Sequence, residues 1–170
     1  MIKFDQTPTS AADRPQKGIL VKDGENRLHE NVTLDGNTKI DFKVLSKDTH
    51  GALSIILSSN NFKATGPPIH IHPDFDETFY VTKGEVKFKV GDENLLLKAG
   101  DSIFIPRNVP HAFTIISDTP TTFLIVSQPA GRFEDFLRAY SKYEKMTPEI
   151  ATQLMSEHNM QIVGPPLTVD

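Results

Sequence analysis

Four residues carry the most visible chemistry in this chain: His70, His72 and Glu77 within one short stretch, and His111 further on. Three imidazoles and one carboxylate suit a first-row transition metal, because a neutral imidazole nitrogen fits borderline ions and a carboxylate adds charge. Alternate residues of a strand share a face, so His70 and His72 point the same way, two rises apart. Pro73 and Asp74 mark a turn. After it Glu77, Phe79 and Val81 share one parity and Thr78 and Tyr80 the other, which lets Glu77 return towards the histidine pair. His111 follows Pro106 and Pro110 and shares a face with Phe113 and Ile115. A histidine on such an apolar face needs a hydrogen-bond partner or a ligand. His29, His50 and His158 have no neighbour at ligand spacing and read as ordinary surface or loop histidines.

Short strands must position these side chains. Ile40, Phe42 and Val44 alternate with Asp41 and Lys43, and Val86, Phe88 and Val90 alternate with Lys87 and Lys89, the period of a strand with one buried face. Further strands are expected over residues 19–21, 32–34, 53–57, 95–97, 103–105, 112–116 and 123–126. Gly, Pro, Asn and Asp punctuate them, as at Asp23-Gly24, Asp35-Gly36 and Gly91-Asp92. Many short strands at such spacing predict a mainly β sandwich or barrel. Phe133, Phe136, Leu137 and Tyr140 then fall at helical spacing, and Thr147-Pro148-Glu149 reads as the start of a second helix running to about His158. This helical tail is expected to lie over a barrel opening or to form a dimer contact.

Three segments follow: residues 1–37, irregular with short strands packing on the barrel; 38–130, the barrel; and 131–170, the tail. Within the first, residues 7–17 are rich in Pro, Ser, Thr, Ala and Asp and read as an irregular lead-in. No internal repeat is visible, which favours one barrel.

Bulk properties narrow the chemistry. The chain has 170 residues and no cysteine, which excludes disulfides, thiolate catalysis and sulfur-ligated metal sites. A net charge of -4 without a dense Lys/Arg run gives no footprint for nucleic acid or an anionic membrane. Residues 1–10 hold no apolar stretch of signal-peptide length, and no apolar run is long enough to cross a bilayer, so the expected location is the cytoplasm.

Two stretches carry a family resemblance. Residues 66–84, GPPIHIHPDFDETFYVTKG, resemble the first motif of the cupins, with His70, His72, Glu77 and Gly84 in register. Residues 100–115, GDSIFIPRNVPHAFTI, resemble the second motif through Gly100, Pro106 and His111. Ala64 stands where the first motif usually begins with glycine, Asn108 replaces the glycine after Pro106, and Ile115 replaces the usual terminal asparagine. None of these departures removes a ligand.

The resemblance implies a double-stranded β-helix, or jelly roll, with one divalent transition metal ion (Mn, Fe, Ni, Co, Cu or Zn) held inside by His70, His72, Glu77 and His111. The GPP-His-x-His opening, the helical tail and the IVGPPL ending look most like cupins related to quercetin dioxygenase. In that group the residue at the position of Glu77 is implicated as base. The function so implied is a metal-dependent dioxygenase acting on a flavonol or related enol-type small molecule. Phe79, Phe88 and Phe113 share inward parity and read either as the lining of an aromatic-compatible cavity or as plain barrel core. Alternatives are Lewis-acid chemistry, as in an isomerase or hydrolase, or a non-enzymatic module that binds a small ligand. Analogy with such barrels also implies a homodimer.

Overall fold

The structure is a computed structural model that describes residues 14–169. Residues 1–13, with most of the expected lead-in over 7–17, lie outside the described residues.

In chain order the strands are β1 (Val32–Leu34), β2 (Thr38–Val44), β3 (Ser54–Asn61), β4 (Ala64–Thr65), β5 (Pro68–Ile71), β6 (Asp76–Lys83), β7 (Glu85–Val90), β8 (Glu93–Lys98), β9 (Ser102–Ile105), β10 (His111–Ile115) and β11 (Thr121–Gln128). Helices α1 (Phe133–Tyr140) and α2 (Pro148–Glu157) follow, and strand β12 (Gln161–Pro166) comes last. All pairings are antiparallel. One sheet runs β1-β2-β3-β11-β6-β9 and the other β12-β5-β10-β7-β8, with β4 also on β10. The architecture is mainly β, a two-sheet jelly roll with a short helical tail.

Alternation in the sequence explains the core. In the first sheet the inward residues form rows that cross the strands in register. The middle row holds Phe42, Ile56, Ile125 and Phe79, and the row on its far side holds Ile40, Ser58, Phe123 and Val81. The second sheet answers with Phe113 opposite Phe88 and Ile115 opposite Val86. Phe42, Phe79, Phe88 and Phe123 are buried, so aromatic rings fill the space between the sheets.

Turn chemistry closes the strands. Asp35 and Gly36 both have positive φ within the three-residue β1–β2 hairpin loop, where the Asn37 N–H donates to the Leu34 carbonyl at 3.1 Å. Gly84 has φ +82 between β6 and β7, and a Cβ there would collide with Thr121 Oγ1. Only glycine satisfies both demands.

One expectation is corrected. Among the described residues, 19–21 form no strand and have no strand partner, and Leu20 is 80% exposed, because a three-residue apolar run without a partner strand gains too little burial to hold an extended ladder. The tail carries α1 and α2 as expected, and β12 after them pairs with β5. Among the described residues no helix is long and apolar enough to cross a membrane.

Candidate metal centre

His70 lies on β5, His72 just beyond its end, and His111 opens β10. His111 is the register partner of His70, so one cross-strand pair and one same-face neighbour bring three rings together. Ring centroids are 4.8 Å apart for His70 and His72, 4.4 Å for His70 and His111, and 4.9 Å for His72 and His111. One nitrogen from each ring lies within 4.8 Å of the others. All three residues are buried.

Backbone carbonyls select the tautomer. His70 Nδ1 donates to the Pro68 carbonyl at 2.8 Å and His111 Nδ1 to the Val109 carbonyl at 2.9 Å. A carbonyl only accepts, so each Nδ1 carries the proton and each Nε2 keeps a lone pair. Burial first, then the neighbouring His111 and His72, push the His70 pKa down to about 3, which keeps this ring neutral and fit to ligate. His72 is wedged by Phe75, with ring centroids 4.1 Å apart. Its carbonyl accepts from the Asn108 backbone N–H at 2.9 Å. Asn108 has φ +64, the left-handed conformation that its amide side chain tolerates in place of glycine.

Glu77, on β6, faces the cluster from the opposite sheet. Its Oε2 lies 3.5 Å from His72 Nε2 and 3.3 Å from His111 Nε2, contacts we read as electrostatic. Burial opposes its ionisation, but the adjacent His72 and His111 rings act the other way and hold the carboxyl well below the usual range.

The donor set fits a metal ion. Neither nitrogen of His72, nor Nε2 of His111, has a hydrogen-bond partner, although all three atoms are buried. Unpaired buried lone pairs are costly, and a cation between the rings would satisfy them. Three neutral nitrogens with a carboxylate alongside suit a borderline transition metal.

A cavity of about 740 Å³ opens from this cluster. His70, Glu77 and His111 line its inner end, and His72 stands behind them. Phe79, Phe113 and Phe123 form barrel walls, while Phe133 and Phe136 of α1, Met155 of α2 and Met160 close it from the tail. The tail therefore covers the barrel opening. Phe88 does not line the cavity; it is fully buried behind Phe79 and Phe113, with ring centroids at 4.9 and 5.7 Å. Its wall role is corrected to core, because the two rings nearer the cavity cover it. Tyr80 faces outward as its parity predicts, at 43% exposure.

Sequence reasoning missed Phe123 and the tail residues of the wall. Their helical spacing in α1 was the available signal. It also missed the pairing of Arg107 with Asp76, and His158, expected at the surface or in a loop, is buried, bonded to the Leu154 carbonyl and packed on Phe136.

Comparison with known proteins agrees with this geometry. Residues 63–127 match the family model described as cupin domain. Over that stretch the chain is similar to the cupins. It is 29% identical over 92 residues to quercetin 2,3-dioxygenase of Bacillus subtilis, a match covering 54% of the chain and 26% of that protein. It is 31% identical over 67 residues to an uncharacterised protein of Methanocaldococcus jannaschii, covering 39% of the chain and 54% of the relative. The chain thus spans about half or less of the length of these curated relatives. Among solved structures it resembles an RmlC-like cupin from Shewanella frigidimarina, with a TM-score of 0.52 and 26% identity, covering 63% of this chain and 87% of the other.

Proposed function

We propose that His70, His72 and His111 hold one transition metal ion, with Glu77 as fourth ligand, and that the protein is a dioxygenase acting on an enol-type aromatic small molecule such as a flavonol. One observation carries the reading: the three-histidine cluster and Glu77 form the inner end of a cavity whose walls are mainly apolar and aromatic. Such a chamber takes a drug-sized ligand and leaves its polar end at the metal centre. The partial likeness to quercetin 2,3-dioxygenase supports the same chemistry.

When bound, the metal would supply Lewis-acid polarisation of a substrate oxygen and access to dioxygen chemistry. The chain's own residues do the rest. Glu77, ionised and buried, accepts the proton of a substrate hydroxyl at its carboxylate oxygen. Phe79 and Phe113 offer flat faces to an aromatic ring. Phe133, Phe136 and Met155 shield the inner cavity from bulk water, which strengthens every electrostatic contact inside.

The test is oxygen uptake by protein reconstituted with each candidate metal and offered flavonols and simple diketones. Uptake with an enol-bearing substrate is expected. No uptake despite a full metal complement would sink the dioxygenase reading and leave Lewis-acid chemistry or ligand binding.

A further inference from the structure

The row of the first sheet that contains Glu77 differs from those beside it. The register places Ser127 opposite Glu77, Ser54 opposite Ser127, and Ile105 on the other side of Glu77. Ser54 and Ser127 share the inward parity of Ile56 and Ile125, and both are 0% exposed. Neither hydroxyl has a hydrogen-bond partner.

Two unpaired hydroxyls in a mainly apolar interior are costly, since each loses its bonds to water and gains none, whereas the inward Ser58 is bonded to Asn61. Alanine would fill either position without that cost. The hydroxyls stand in the same row as the carboxylate that faces His72 and His111, and side chains directly opposite in an antiparallel pair have Cβ atoms about 4.5–5.5 Å apart. A serine hydroxyl rotates freely and a carboxylate offers several acceptor directions.

We propose that Ser127, backed by Ser54, is a positioning residue for Glu77: its hydroxyl, unpaired in the metal-free arrangement, turns to donate to the carboxylate when Glu77 is drawn to a metal ion and so fixes its orientation there. The proposal rests on the metal reading above. Ligating carboxylates are held by outer hydrogen bonds, whose loss costs about 10–100-fold in metal affinity. The Ser54 hydroxyl lies one strand further out, so its part is to orient Ser127 and its loss counts for less.

The experiment titrates metal-stripped protein with cobalt, reading affinity by competition and ligand geometry from the visible spectrum, alongside the melting temperature of the metal-free form. Ser127→Ala is expected to weaken cobalt binding at least about tenfold and to alter the spectrum at saturation, while the metal-free protein melts no lower than wild type. Ser54→Ala is expected to weaken binding less. Wild-type affinity and spectrum in Ser127→Ala overturn the proposal alone. An affinity loss that tracks a lower melting temperature, with the spectrum unchanged, also overturns it, because the serine is then merely structural. A wild-type protein that takes up no cobalt overturns the metal reading and this proposal with it.

Discussion

Arg107 grips Asp76 with a two-pronged ion pair. Its Nε donates to Oδ1 at 3.0 Å and its Nη2 to Oδ2 at 2.8 Å, and its backbone N–H adds a third bond to Oδ1 at 2.9 Å. Asp76 immediately precedes Glu77, and Arg107 sits in the loop that leads to His111. The pair therefore ties the carboxylate-bearing strand of one sheet to the histidine-bearing strand of the other. Breaking it by Arg107→Ala is expected to cost about 1 kcal/mol, since the pair is partly solvated. Metal affinity should also fall about tenfold as the loop loosens. Denaturant unfolding and a metal titration read the two effects; an unchanged affinity would mean that the Asn108 bond to the His72 carbonyl holds the loop by itself.

Acid should destabilise the metal-free protein through His70. Burial and its histidine neighbours depress its folded pKa to about 3, whereas the unfolded chain takes up a proton near about 6.5. The unfolded state binds more protons between those values. Stability is then fully present above about pH 6.5 and declines as pH falls towards 3. Glu77 and Asp76, both depressed, act in the same direction at lower pH. Denaturation midpoints at pH 7.5 and pH 5 check this. A midpoint that rises on acidification would contradict the buried neutral ring.

Much of the site was legible because strand parity is a rigid rule. His70 with His72, Glu77 with Phe79, and His111 with Phe113 each share a face whatever the partner strand. Parity does not say how deep a position lies, which is why Phe88 and Phe113 looked alike although one is core and the other wall. Strand β12 was hidden for another reason. Its IVGPP stretch has no alternation and holds two prolines, so only its docking against β5 makes it a strand. Ser54 and Ser127 were equally silent, because a serine in an apolar strand reads as ordinary until its register partner is known. Arg107 needed tertiary structure to find Asp76.

The contrast between Phe88 and Phe113 makes its own prediction. Phe88→Ala should cost about 3–5 kcal/mol by leaving a cavity in the core. Phe113→Ala should cost about 1–2 kcal/mol, because one side of that ring already borders open space. In compensation it should change substrate affinity far more per unit of stability lost. Equal stability costs would argue that Phe113 is core.

Glu77→Gln keeps the side-chain volume and removes the charge. It is expected to weaken metal binding at least about tenfold and to reduce turnover to background. Unchanged metal content and rate in this variant would remove Glu77 from the roles assigned to it.

Whether the three histidines hold a metal ion is read by elemental analysis of protein purified without chelators, and after exposure to manganese, iron, cobalt, nickel, copper and zinc in turn. About one tightly held ion per chain is expected, as in a three-histidine mononuclear site, and it is lost in His70→Ala, His72→Ala and His111→Ala. A wild-type chain that retains none of these metals, or a triple-alanine variant that retains as much as wild type, would show that the histidines hold no ion.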